Sequence, residues 1–464
     1  MMTLNQAASW IGSCELIGSG EVAINRVHTD TRTLTACDLF VALKGERFDA
    51  NDFLLQARQQ GAAAAIAHHG LAAAGLAGLE VADSKHALGR LAAGWRSQFK
   101  LPLIAVTGSN GKTTVTQMIA AILRAWKPDA AFSTEGNLNN DIGVPLTLLR
   151  LKASHQVGVV ELGMNHPGEI AYLAELSRPT VALVNNAQRE HLEFMVTVEA
   201  VARENGSVMA SLANEGTAVF PADDEYTPLW KEMAGKRPVL TFAAPGSSAA
   251  ADVTAEAAWA DGGWQVEARA TGKVVQFSLN IAGRHNVKNS LAAMACALAA
   301  GVPLEAISQG LSAFVPVKGR SRALMVNIHG HALNLVDDTY NANPDSMRAA
   351  IDVLADLPKP RLLVMGDMGE VGNQGPYFHE EAGRLARQGG IENLFTLGVQ
   401  SQGASASFGA GRHFADIESL NAAVLEKLPQ LGSVLVKGSR FMKMERVVQA
   451  IAETQQTKEE SHAA

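Results

Sequence analysis

The segment Thr107-Gly108-Ser109-Asn110-Gly111-Lys112-Thr113-Thr114 has the residue types that hold a polyphosphate. Glycines let a backbone turn its N–H groups toward an anion, and a helix start adds partial positive charge. Lys112 can reach the β- and γ-phosphates, and the Thr113 hydroxyl suits Mg²⁺, a hard cation that prefers oxygen. The longer G-x-x-x-x-G-K-[ST] spacing would need glycine at 106, which is Val106. The loop is therefore a shortened G-x-x-G-K-T form. Glu161 closes the apolar run VGVVE, and His191 follows the run VALVN within NNAQREHLE. A carboxylate beyond a strand end can hold Mg²⁺, and a histidine there can bind a metal or position a phosphate.

Further groups point to nucleotide recognition. Asn286 and Asn289 are three apart before an Ala-rich helix, so they share a face and offer donors and acceptors to a base or ribose. A helix cap is the competing reading of that pair. Lys318-Gly319-Arg320 and the polar run Asp337 to Pro344 supply a basic turn, a ribose-binding acid, a stacking tyrosine, Tyr340, and substrate-binding amides. Lys437-Gly438-Ser439-Arg440 closes the last apolar run with another anion-friendly turn. His166 lies in a turn-like setting and is left unassigned.

Positioning these side chains requires strands that end at a common edge. LIAVT at 103–107 reads as a buried parallel strand, with a helix from about Lys112 to Ala125 after the loop. Runs at 157–161 and 181–185 repeat the pattern, which predicts βαβ units. Residues 252–280 read as an antiparallel extension. Runs at 332–337, 361–366, 393–397 and 433–436 predict a second α/β layer. Ahead of the loop, 38–43 and 63–67 read as strands and 51–60 as a helix closed by Gly61. The Ala-rich stretch 61–79 predicts a helix end, a short strand and a turn, and the tail from Thr454 predicts fraying.

The chain has 464 residues, which suggests about three domains. The expected fold is α/β: a central P-loop-type, mostly parallel sheet at 101–315, an N-terminal domain at 1–100 and a Rossmann-like domain at 316–464. An apolar share of 47% and a charged share of 18% describe an ordinary globular chain, and a net charge of −7 argues against a whole-chain nucleic-acid binder. Cys14, Cys37 and Cys296 form no C-x-x-C pair, so disulfides and a zinc site are not expected. No signal peptide or membrane-spanning run is read, and a cytoplasmic setting is expected.

Together, TGSNGKTT, ELGMNHPGEI, NNAQREHLE, GRHN and DDTYNANPDSM resemble, in order, the ATP-dependent Mur ligases of bacterial cell-wall synthesis. The resemblance covers nearly the whole chain. DTR followed by DLFVALKGERFDANDF, NLNNDIGVP, and VMGDMGEVG at 364–372 are similar to the branch that adds D-alanyl-D-alanine to a UDP-N-acetylmuramoyl-tripeptide. The preceding ligase's DNPR-type motif is not found in the sequence.

The resemblance implies ATP and Mg²⁺ as cofactors, an acyl-phosphate intermediate and a monomer without nucleic-acid or membrane partners. It implies catalytic roles for Lys112, Glu161 and His191, with Thr113, Glu161 and His191 on metal. It places Gly108, Asn110, Gly111, Lys112, Thr113, Thr114, Asn286, Asn289, Arg320 and Asp338 near ATP. Thr31, Arg32, Lys44 and Gly45 would face the uridine diphosphate, the task of the N-terminal domain, and Asn137 would touch substrate.

One departure stands out. Many relatives carry a lysine after the histidine, modified to a carbamate that helps hold a second Mg²⁺. Here Asn205 aligns with it, and no lysine occurs between Lys152 and Lys231. A lysine carbamate is therefore not expected. The neighbouring Glu204 is rotated by about 100° on a helix. A folylpolyglutamate synthase-like ligase and a catalytically weak nucleotide-binding regulator are the competing functions. The first has no need of a separate uridine-nucleotide domain, and the second has little need of both Glu161 and His191.

Overall fold

A computed structural model of the chain describes residues 1–45, 48–260, 262–328 and 330–459. It is built on three main sheets. The first has five strands in the order Glu15–Ile17, Ala77–Glu80, Ala64–Ala67, Asp38–Val41, Arg26–His28, all parallel except the first. The helix expected at 51–60 opens instead as a 3₁₀ turn, Ala50–Phe53, before α-helix Leu54–Gln59. The Asp49 side chain accepts from the Asn51 amide and starts that turn, an Asx geometry that competes with a regular helix start. The Ala-rich stretch holds more structure than expected, since helix Leu71–Ala74 and strand Ala77–Glu80 follow strand Ala64–Ala67. Gly70 and Gly75, both at positive φ, bracket that short helix.

The central sheet has nine strands. Its middle order is Ala131–Ser133, Val157–Glu161, Leu103–Thr107, Val181–Val184, Thr217–Pro221, Val239–Phe242, all parallel. Strands Val253–Ala260, Gly263–Ala270 and Lys273–Leu279 extend it as the antiparallel meander expected from the sequence. Leu103 and Ala105 point into one hydrophobic cluster, Ile104 and Val106 into another. Burial on both faces explains why this strand reads as an unbroken apolar run. Strand Leu103–Thr107 lies between Val157–Glu161 and Val181–Val184. Chain connections leave it toward both sides, so a crevice opens at the strands' carboxyl ends.

The third sheet runs Arg322–Ile328, His331–Asp338, Ser433–Lys437, Arg361–Gly366, Asn393–Leu397, Arg412–Phe414, parallel after its first hairpin. Leu363 and Met365 face one cluster, Leu362 and Val364 the other. The last helix runs from Glu445 to Glu459, past Thr454 where fraying is expected, and positions 460–464 of that tail lie outside the described residues. Burial of Val447, Val448 and Ile451 anchors the helix. Among the described residues no helix is long and apolar enough to cross a membrane.

Candidate active site

The phosphate loop joins strand Leu103–Thr107 to helix Lys112–Trp126. Gly108 has φ +129° and Gly111 φ +81°. A Cβ on Gly111 would come within 2.8 Å of the side chains of Asn185 and Asn289, so only glycine satisfies both backbone and space. Helix geometry leaves the amides of Gly111 to Thr114 without intrahelical partners, and these residues line a cavity of about 970 Å³.

Segment Asn185 to His191 holds the loop in shape. The Asn186 side chain accepts from the Asn110 amide at 2.9 Å, and Asn185 Nδ2 donates to the Asn110 carbonyl at 2.8 Å. Ser109 Oγ accepts from the Gln188 amide at 2.9 Å. Lys112 Nζ donates to the Gly108 and Ser109 carbonyls at 2.6 and 3.0 Å and pairs with Glu190 Oε1 at 3.0 Å. Glu161, 2% exposed, accepts from Thr113 Oγ1 at 3.2 Å and from Asn139 Nδ2 at 2.7 Å. Thr113 and Glu161 thus form one pair of hard oxygen donors able to hold a divalent cation.

His191, at φ +50°, lines the same cavity. Its Nε2 lies 3.5 Å from Glu190 Oε1 and its Nδ1 2.7 Å from Glu370 Oε2. Burial disfavours the imidazolium, but the two carboxylates outweigh it and raise His191 to about 9. Burial likewise opposes ionised Glu190, yet the positive charges of Lys112 and His191 hold its carboxyl below the usual range.

The third sheet closes the cavity. Arg320 donates to Thr113 Oγ1 at 3.2 Å, and its guanidinium lies 3.9 Å from the Tyr340 ring centroid. Asp338 pairs with Lys437, whose charge outweighs burial and keeps the carboxyl below the usual range. Asp338 also accepts from the Ser321 amide at 2.9 Å.

The structure brings Gly111 to Thr114, Asn110, Asn137, Glu161, His191, Asn286, Asn289, Arg320 and Asp338 to the cavity wall. Gly108 lies at the loop's base. Asn286 and Asn289 have their groups engaged already: Asn289 Nδ2 donates to Asn286 Oδ1, and Asn289 Oδ1 accepts from Asn185. They brace the loop rather than present free base-reading groups. Thr31, Arg32, Lys44 and Gly45 do not line the cavity. Arg32 is exposed and paired to Asp30, and Lys44 lies 3.7 Å from Asp49.

Asn205 is buried, and its Oδ1 accepts from Thr107 Oγ1 and, at 2.8 Å, from the Gly108 amide. It secures the loop's entry. Glu204 points elsewhere, accepting from the amides of Gly168 and Ile170 at the start of helix Glu169–Ser177. Asn343, from the polar run Asp337 to Pro344, lines the cavity as well, whereas Arg189, Glu190 and Glu370 carry no assignment from the sequence. Arg189 and Glu190 sit beside His191 in a segment already singled out, but only three-dimensional pairing distinguishes them from surface charges.

A shortened phosphate loop on a parallel sheet, an acid at the neighbouring strand end and a second α/β sheet over both define a nucleotide-binding enzyme of the phosphate-loop class. The chain belongs to the Mur ligase family: residues 23–96 match its catalytic domain, 106–297 the Mur ligase middle domain, and 322–440 the glutamate ligase domain. It is 41% identical over 457 residues to UDP-N-acetylmuramoyl-tripeptide–D-alanyl-D-alanine ligase of Escherichia coli K12, covering 97% of this chain and 98% of that one. The ligase of the same name from Haemophilus influenzae is 37% identical, with 94% and 95% covered. A crystal structure of MurF from Acinetobacter baumannii superposes with TM-score 0.89 at 34% identity, covering 97% and 98%. MurF from Thermotoga maritima in complex with ADP gives 0.83 at 25%, covering 95% and 100%.

Proposed function

We propose that this protein ligates D-alanyl-D-alanine to UDP-N-acetylmuramoyl-tripeptide at the expense of ATP, yielding the UDP-muramoyl-pentapeptide precursor of peptidoglycan. The observation carrying this reading is the cavity in which Lys112, Glu161 and His191 meet Asp338 of the third sheet and Arg320 of the turn before it, in a chain similar end to end to ligases of that name. Residues 1–100 would bind the uridine nucleotide through Thr31, Arg32, Lys44 and Gly45. Residues 101–315 would bind ATP, and 316–464 would close over it and receive the dipeptide. The folylpolyglutamate synthase reading is not favoured by these relatives.

The tripeptide's terminal carboxylate attacks the γ-phosphorus, and the bond to the β-phosphate oxygen breaks, giving ADP and an acyl phosphate. The dipeptide's amine then attacks the acyl carbon. The tetrahedral adduct loses inorganic phosphate and a proton as the peptide bond forms. Lys112 and the loop amides would steady the negative charge on the transferring group. Arg320 and Asp338 would orient the nucleotide, with Asn286 and Asn289 bracing the loop. Thr113 and Glu161 would hold Mg²⁺, with His191 serving a second site. Bound Mg²⁺ would polarise the phosphoryl oxygens and screen their charge. Asn137 would contact the tripeptide at the cavity rim. The setting we propose is the cytoplasm, with the protein acting as a monomer.

The test is phosphate release from ATP with paired UDP-tripeptides bearing meso-diaminopimelate or lysine. Release that requires both a tripeptide and D-alanyl-D-alanine supports the reading. Release with neither tripeptide, or with a folate and glutamate instead, overturns it.

A further inference from the structure

Glu190 is 8% exposed and lines the cavity. Its Oε1 faces Lys112 and His191, while its Oε2 is buried without a hydrogen-bond partner among the described residues. A carboxylate oxygen withdrawn from water and left unpaired is costly, and such a group calls for an explanation. Its present partner cannot be permanent. Lys112 opens the helix at the phosphate loop, and a polyphosphate on that loop draws its ammonium away from Glu190. The buried carboxylate would then face phosphate oxygens with only the His191 ring left as a countercharge.

We propose that Glu190 is a cation ligand: together with Nε2 of His191 it forms a second divalent-cation site, which fills when the nucleotide takes Lys112. Three features support this. Nε2 and Oε1 stand 3.5 Å apart, against about 3 Å for neighbouring ligands on an octahedron with ~2.1 Å bonds. Nδ1 of His191 lies 2.7 Å from the Glu370 carboxylate, which leaves Nε2 as the ring nitrogen facing Glu190. Magnesium sites that bridge phosphates need only one or two protein carboxylates, since water and phosphate complete the shell. Asn205 is not available for the task, because its Oδ1 is engaged at the loop's entry. The cation would thus be met without a lysine carbamate.

This inference rests on the ligase reading of the same site. Its test is Mn²⁺ titration of the full-length protein, followed by electron paramagnetic resonance, with a non-hydrolysable ATP analogue and the UDP-tripeptide. The unaltered protein should bind two Mn²⁺ per chain. Glu190→Gln should bind one, with the analogue still bound. Glu190→Asp, which keeps the charge if the amide variant fails to fold, should weaken only the second cation, by about tenfold or more. Two cations of unchanged affinity in the variants, or one in every protein, overturns the proposal and leaves the ligase reading standing. Failure of the unaltered protein to bind the ATP analogue overturns that reading instead, and this inference with it.

Discussion

Asn110 of the phosphate loop and Asn343 of the third-sheet domain exchange carboxamide hydrogen bonds across the boundary between them, at 2.9 and 3.3 Å. Asn343 also caps helix Pro344–Ala355, accepting from the Ser346 amide. The loop that faces phosphate is thereby tied to the start of a helix in another domain. Arg189 adds a second tie: its guanidinium meets Asp345 at 2.7 Å and Glu381 at 2.8 Å. Because Arg189 precedes Glu190 and His191, these ion pairs link the placement of those two side chains to the third-sheet region.

Arg189→Ala should therefore lower kcat by about 100-fold, the scale of a misplacement near 1 Å at the reacting centre. ADP affinity should change little, since the loop amides remain. A double-mutant cycle with Asp345→Asn should give a coupling energy of about 1–3 kcal/mol, measured on kcat/KM. Additive effects would show that the pair does not hold the catalytic segment in place.

The loop, the strand-end acid and the alternating α/β pattern were legible because each rests on local spacing. Leu103 to Thr107 are all buried, so the run is continuous and its strand is unambiguous. The split start of helix Leu54–Gln59 was not legible, because an Asp49 side-chain bond decides it. Asn286 and Asn289 line the cavity, but the bond Asn289 accepts from Asn185, over a hundred residues away in sequence, leaves no mark in local spacing. Glu190 and Glu370 acquire meaning only when separate strands meet, and sequence spacing carries no record of that meeting.

Gly111→Ala tests the loop directly. The residue sits at φ +81°, and a methyl group there would press on Asn185 and Asn289 at 2.8 Å. The left-handed conformation alone costs an alanine about 1–2 kcal/mol. ADP affinity should fall by about 5- to 30-fold, the equivalent of that strain. The circular dichroism spectrum should be unchanged, because the sheet behind the loop does not depend on it. Unaltered affinity in a calorimetric titration would mean that the loop relaxes freely.

The Asp338–Lys437 pair predicts a pH response. Lys437 is the main attraction holding the Asp338 carboxyl low against the opposing effect of burial, and His285 adds a smaller one. A carboxyl held lower in the folded state than in the unfolded chain, where it titrates near ~3.9, contributes stability above that value. That contribution disappears as pH falls through the lower folded value. Asp338→Asn should remove this share of the acid sensitivity. Urea midpoints of variant and parent should differ at pH 7 and draw together as the pH falls below the ordinary carboxylate range. Parallel curves would show that the pair carries no linkage.

Lys112 and Glu190 set up the sharpest separation of stability from turnover. Their side chains are 13% and 10% exposed, so removing Lys112 leaves the Glu190 charge in a poorly hydrated place with only the His191 ring opposite it. Lys112→Met should abolish ligation, because no ammonium remains to meet the transferring phosphate. It should also destabilise the fold, by about 3 kcal/mol on the scale of broken buried pairs. Adding Glu190→Gln removes the stranded charge. The double variant should therefore recover most of the thermal midpoint, while phosphate release stays at background. If the second change left the midpoint where the first put it, the destabilisation would belong to the lost loop contacts of Lys112 with the Gly108 and Ser109 carbonyls, and not to the ion pair.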